Sequence, residues 1–254
     1  MKRLIALLPA LIAFAVLLAG WEIACRLLAV PVYFLPPPSA VAVALIERAP
    51  VLAASAWATF GMALQALLLA TAVGGGLALA VSFSRSAERG VRPLAVVIQV
   101  TPVIAIAPLV LIWTGLDRAQ LAVVILAAAV AFYPIFSGML TGLKSADPDL
   151  ERLFDLYAAT PLQRLWRLRL PAALPQALEG LRVGAGQAVI GAVVAEFVSG
   201  SGATKGLAWR LLEAGNRLRI AELLAAVVWL ALLGLLLNAV IAAVERSVLN
   251  ARGR

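Results

Sequence analysis

The side chains that most often carry covalent or metal chemistry are nearly absent from this chain. It has no histidine and one cysteine, Cys25, which excludes histidine catalysis, histidine metal sites, cysteine clusters and an internal disulfide. No phosphate-cradling Gly-x-x-x-x-Gly-Lys-Ser/Thr motif occurs. The nearest glycine cluster, Gly74-Gly75-Gly76, lies in an apolar run, where glycine serves close helix packing or bending. Paired acids at membrane depth are missing too, which argues against an intramembrane enzyme. What remains is a set of polar groups inside apolar stretches: Gln99, Thr101, Tyr133, Gln187 and Glu196. Hydrocarbon penalises such groups unless they face protein or water, so they are candidates for lining a path. Each also has a packing alternative. Gln99 and Gln187 can bond neighbouring helices, and Thr101 and Tyr133 can bond backbone freed by Pro102 and Pro134. Glu196, close to the end of its span, can pair with Lys205 or Arg210, and its charge suits a gate or a structural role better than contact with an anion.

The elements that must position these groups are membrane helices. Of 254 residues, 63% are apolar and 13% are charged, against roughly a quarter charged in a soluble domain. So apolar a chain cannot hide its surface from water, which makes it an all-α integral membrane protein. The net charge of +8 fits the positive-inside bias of membrane proteins better than nucleic-acid binding. Charge-free windows at 4–21, 27–46, 49–84, 93–116, 119–143, 183–195 and 223–244 give the organisation.

A helix needs about 20 apolar residues to cross the hydrocarbon. Six spans are predicted: about 4–28, 57–83, 93–116, 119–143, 180–199 and 221–244. The first is an uncleaved span, because its apolar run is longer than a signal-peptide core and lacks a clean cleavage site. Pro36-Pro37-Pro38 bars the second window from spanning, so it reads as an extended segment and a short helix capped by Ser39. Asp117-Arg118 closes a hairpin between the third and fourth spans. With the N-terminus inside, 14 of the Lys and Arg residues fall on inner segments and 7 on outer ones. That bias puts both termini in the cytoplasm and makes 29–56 and 200–220 extracytoplasmic, although the outer cluster at 205–219 works against it.

One inner loop, 144–179, is not a simple connection. Asp147-Pro148-Asp149 is a helix start, with Asp as N-cap and Pro at the first helical position. Thr160-Pro161-Leu162-Gln163 has the spacing of a capping box. Pro171 is expected to end the second helix. Two short helices therefore meet at a corner, Ala158-Ala159-Thr160, and the second alternates Arg164, Arg167 and Arg169 with Leu165, Trp166, Leu168 and Leu170. This amphipathic pattern suits an interfacial helix on anionic lipid or a knob for a soluble partner.

The stretch from Ala158 to Pro175, closing on Leu168-Arg169-Leu170-Pro171, resembles the cytoplasmic signature loop of permease subunits of bacterial ATP-binding-cassette importers. Ala158 stands at that signature's glycine, and Arg152, Leu153 and Phe154 stand at its Glu-Ala-Ala opening. Leu35-Pro36-Pro37-Pro38-Ser39, Thr101-Pro102 through Trp113-Thr114-Gly115, Phe132-Tyr133-Pro134 and Ala195-Glu196-Phe197 resemble the nitrate, sulfonate and taurine branch. That branch carries a basic residue near Thr59 to Met62; here Met62 occupies the place.

The resemblance implies a type I importer permease: one domain over 1–254, half of a translocation pathway in the bacterial inner membrane. It implies that Asp155, Leu156, Tyr157, Ala158, Ala159, Thr160, Pro161, Gln163, Leu170 and Pro171 form the coupling segment held by a cytoplasmic ATPase. Mg-ATP would belong to that ATPase, and this chain would bind no cofactor. The implied partners are two ATPase subunits, a second copy of this chain or a close relative, and a periplasmic binding protein. The implied cargo is a small solute, foremost an anion such as a sulfonate, taurine or nitrate. The alternative is a secondary transporter driven by an ion gradient, for which inverted repeats and midplane ion sites are expected; no repeat is evident, and Glu196 is the one acid suited to such a site.

Overall fold

The structure is a computed structural model that describes residues 2–199 and 204–250, and its described residues form helices with no strand. Among the described residues five helices are long and apolar enough to cross a membrane, or six if one sharply bent pair counts as a span. In order they are α1 (Lys2–Leu27), α2 (Pro38–Glu47), α3 (Ala49–Val81), α4 (Arg85–Val100), α5 (Val103–Thr114), α6 (Ala119–Leu143), α7 (Pro148–Leu156), α8 (Pro161–Arg164), α9 (Leu170–Ser199), α10 (Leu207–Asn216) and α11 (Ile220–Asn250).

The expected third span is broken. α4 and α5 meet at 96° around Thr101-Pro102. Pro102 has no N–H to continue the ladder and disfavours helical backbone in the residue before it. Thr101 is accordingly extended (φ −68°, ψ 123°), and its hydroxyl donates back to the Val97 carbonyl at 2.7 Å.

Pro171 does not end a helix. α8 and α9 are joined by a π turn, Leu165–Arg169, into one helix of 39 residues, Pro161–Ser199. The wider π turn accommodates a proline ring that would crowd the carbonyl one turn back in a regular α-helix. The fifth span therefore begins well before residue 180. Ser39 does not cap α2 either. Pro37 holds the N-cap position, and Glu22 of α1 reaches across instead, accepting the Ser39 N–H at 3.0 Å and its hydroxyl at 2.9 Å. A carboxylate is well placed at a helix N-terminus.

The core is a sandwich of α3, α6 and α9, with α6 in the middle and its contact with α9 the most extensive in the molecule. Its layers are alanine: Ala63, Ala66 and Ala70 from α3, Ala127 and Ala131 from α6, and Ala185, Ala188 and Ala192 from α9 are essentially inaccessible. Lipid gives membrane helices no hydrophobic reason to associate, so small residues that admit close backbone approach supply the packing. At the α6–α9 seam there is no room for a side chain. A Cβ on Gly138 would lie 2.8 Å from the Gln176 carbonyl oxygen and 2.9 Å from the Gly180 Cα. One on Gly180 would lie 2.6 Å from the Pro134 carbonyl oxygen, and one on Gly142 2.6 Å from that of Ala173. Gly191 meets the Ala127 backbone in the same way, and Gly184 is closed off by the Ile135 side chain. By contrast, α1 is largely exposed and touches mainly α2.

Gly76 has nothing within 4 Å of an added Cβ. Gly138→Ala is therefore expected to destabilise the fold by about 1–3 kcal/mol, and Gly76→Ala to stay within about 0.5 kcal/mol of the parent. Thermal unfolding of both variants in detergent checks the pair.

Candidate coupling corner and membrane groove

Asp147 caps α7 by accepting the Asp149 N–H at 2.8 Å. The capping box at α8 is complete: the Thr160 hydroxyl accepts the Gln163 N–H at 3.3 Å, and the Gln163 side-chain oxygen accepts the Thr160 N–H at 2.9 Å. Between the helices the chain closes a Schellman turn. The Ala159 N–H donates to the Phe154 carbonyl and the Ala158 N–H to that of Asp155, each at 3.0 Å. Ala158 has φ +49°, the left-handed position usually filled by glycine. Its identity departs from the signature, but its conformation is the one a glycine would adopt.

Charges brace the corner from inside. Arg164 pairs with Asp155 at 2.5 Å and Glu151 at 3.6 Å, and Arg169 pairs with Glu151 at 2.6 Å. One carboxylate on α7 is thus gripped from α8 and from the π turn. Below it, Glu88 of α4 pairs with Lys144 at the end of α6. The outward side of the corner is apolar: Leu156 is 84% exposed, Tyr157 79% and Leu162 60%. Large apolar side chains thus stand exposed on a corner framed by ion pairs. Leu170 and Pro171 lie on the helix behind the corner rather than at its tip.

The pathway candidates do not gather in one place. Gln99 and Tyr133 do meet, in an open groove of about 380 Å³ between α4, α6 and α9. Its other lining residues include Ser137 and Thr141 of α6 and Gln176 and Glu179 of α9, over a floor at Gly138 and Gly180. The sequence reading missed these four polar residues. Tyr133, Ser137 and Thr141 recur at four-residue spacing, the period of one helix face, and that signal was available. Gln187 continues the α9 stripe one turn beyond Val183 but lies outside the groove, and Thr101 lies at the α4–α5 break.

Glu196 sits elsewhere, 1% exposed, where α9 meets α3 and α10. The Thr59 hydroxyl donates to it at 3.0 Å, and the Leu207 N–H donates to Thr59 at 2.9 Å. A side chain on Gly206 would run into this carboxylate. The expected ion pair with Lys205 or Arg210 is not formed. Arg210 instead donates to Ser55 at 3.1 Å and pairs with Glu213 at 2.8 Å. Met62, where the branch has a basic residue, is packed into the core at 4% exposure.

A bent helix pair, a glycine-lined helical core and a capped corner are the features that position these groups. The chain belongs to the family of binding-protein-dependent transport system inner membrane components, which it matches over residues 70–250. It is 34% identical over 236 residues to a probable ABC transporter permease protein of Haemophilus influenzae, covering 92% of this chain and 93% of that one. It is 36% identical over 211 residues to the formylaminopyrimidine transport permease protein ThiX of Halalkalibacterium halodurans, covering 82% of each. It is 31% identical over 239 residues to the taurine transport system permease protein TauC of Escherichia coli, covering 91% of this chain and 85% of that one. A crystal structure of an amino acid ABC transporter with histidines shares the fold, with a TM-score of 0.63 at 15% identity over 81% of this chain and 97% of that one. The chain is thus a multi-pass inner-membrane permease of an ATP-binding-cassette importer, in the branch that includes sulfonate, taurine and nitrate permeases.

Left-handed backbone strains alanine and not glycine. Ala158→Gly is expected to stabilise the corner by about 1 kcal/mol, read as a raised unfolding midpoint of the purified permease.

Proposed function

We propose that this chain forms half of the membrane pathway of an ATP-driven importer for a small polar solute, and that the corner at Ala158-Ala159-Thr160 is its handle. The observation that carries this reading is continuity. The corner is capped on both sides, braced by Arg164, and runs without a break into the span of α9. A helix of 39 residues measures roughly 58 Å at about 1.5 Å per residue, against about 30 Å of hydrocarbon. That length is enough for its N-terminal part to extend past the membrane, which supports a cytoplasmic handle. An interfacial helix would instead turn to lie along the lipid surface, so docking to a soluble partner is the better reading.

Each of two cytoplasmic ATPases holds one corner, and Mg-ATP binds there and not on this chain. Closure of the ATPases moves α7 and α8, and the Glu151 ion pairs pass that motion to α9. The glycine seam makes α6 follow α9. The groove walls on α6 and α9 then shift against α4, which exchanges access between the two sides. A second copy of this chain supplies the other half of the pathway, and a periplasmic binding protein delivers the solute. Both termini lie in the cytoplasm, as the Lys and Arg distribution favours. An anionic cargo is supported by the relatives named for taurine, aliphatic sulfonates and nitrate, whereas the relative named for formylaminopyrimidine points to an uncharged ring.

Ala159→Trp obstructs the handle without touching the groove. It is expected to lower ATP-dependent uptake at least tenfold in proteoliposomes while ATP hydrolysis continues, and to weaken copurification with the ATPase. Unchanged uptake overturns the docking assignment.

A further inference from the structure

α4 is a rod between two breaks. Ser84 caps its start, accepting the Ala87 N–H at 3.3 Å, and Thr101-Pro102 ends it at the 96° bend. Of its 16 residues, Glu88 and Ala95 are the ones that are buried. Ala95 belongs to the apolar cluster of Phe132, Phe136 and Leu140 on α6. Glu88, in the first turn, is a carboxylate at 8% exposure. It pairs with Lys144, which closes α6, and with Arg92 one turn along α4 at 3.9 Å. Lys144 leads straight into the corner. The next residue, Ser145, donates its hydroxyl to the Ala172 carbonyl of α9 at 3.3 Å, and Asp147 then caps α7. The Glu88–Lys144 pair and the Glu151–Arg169 pair of the corner line one polar cavity of about 760 Å³.

We propose that Glu88 is a positioning residue for coupling: through Lys144 it latches α4 to the base of the corner, and the latch parts when the corner moves, so that α4 swings about Thr101-Pro102 away from α6 and α9. This rests on the importer reading above and names the contact that gives way in it. The chemistry at position 88 fits a reversible contact. An apolar side chain there would join the cluster beside it and hold α4 in every state. A carboxylate at this depth depends on its partner cation, because burial strips it of water. Lys144 is half exposed at the cavity, so both charges regain water when they part. The far end of α4 fits a hinge. Pro102 has no N–H to donate, and among the described residues no backbone hydrogen bond crosses from α5 to α4. Between Glu88 and that hinge the lever is roughly 20 Å long, at about 1.5 Å per residue.

The test uses the full chain assembled with its ATPase in lipid nanodiscs and reads ATP hydrolysis without binding protein. A latch that favours the resting arrangement suppresses this hydrolysis. Glu88→Gln and Lys144→Glu are each expected to raise it at least fourfold, and the charge exchange, Glu88→Lys with Lys144→Glu, to return it to within twofold of the parent. Lys144→Gln, on a half-exposed side chain, replaces Glu88→Gln if that variant does not assemble. Spin labels on Arg89 of α4 and Ile125 of α6, with Cys25 replaced by alanine, report the swing. Their distance is expected to change by about 3 Å when ATP is trapped, as a turn of about 10° gives on such a lever. Hydrolysis unchanged in both single variants, no recovery in the charge exchange, or a fixed Arg89-to-Ile125 distance overturns the proposal. A lowered unfolding midpoint with unchanged hydrolysis makes Glu88 a structural anchor and overturns it as well. Failure of the purified chain to assemble with any ATPase overturns the importer reading, and the latch with it.

Discussion

The close backbone contact between α6 and α9 is the constraint on which the rest of the molecule depends. In water, two apolar helices associate by excluding solvent. In lipid that drive is absent, and association rests on packing that only small residues allow. Gly138, Gly142, Gly180 and Gly191 bring the two backbones to within one missing Cβ of each other. The same contact sets Tyr133 and Ser137 of α6 beside Gln176 and Glu179 of α9, so the groove follows from the seam. In the proposed mechanism it also carries the motion, because two helices packed backbone to backbone do not slide without losing their fit.

At the α7–α8 corner a few charges do what apolar packing cannot. The corner has no apolar core of its own to hold its shape. Here Asp147, the Thr160–Gln163 capping box and the Arg164 bridge replace that core with hydrogen bonds and ion pairs. Exposed pairs of this kind contribute little stability singly. The two on Glu151, from Arg164 and Arg169, tie α7 to the helix that continues into α9. The opposite end of α9 uses a buried variant of the same device, with Thr59 and Glu196 pinning α10 to α3 and α9.

The helical class, most of the span positions and both caps of the corner were legible in the sequence, because hydropathy windows and capping spacings are local signals. Misreadings arose where two local rules competed or where a partner was distant. Pro171 was read as a helix end, and a π turn before it absorbed the ring. Thr101-Pro102 was read inside one span, yet the residue before a proline is where a helix breaks, and the chain turns by 96° there. Ser39 was expected to cap its own helix, but the carboxylate that does so comes from α1. The binding of Glu196 to Thr59 joins residues 137 positions apart, and no local pattern announces it. Of the six polar groove residues only Gln99 and Tyr133 stand out as polar groups inside apolar stretches; the signal for Ser137 and Thr141 is their four-residue period with Tyr133.

The central claim is that corner, α9 and α6 move as one body. The most direct measurement is the distance between spin labels on Leu162, at the exposed tip, and Ile125, on the exposed face of α6. It is taken in the assembled transporter with and without trapped ATP, with Cys25 replaced by alanine. The account predicts an unchanged distance within one chain, alongside a changed distance between the two Leu162 labels of the dimer. A change in the Leu162-to-Ile125 distance on ATP binding would contradict it, because the corner would then flex on its own and the seam would carry nothing.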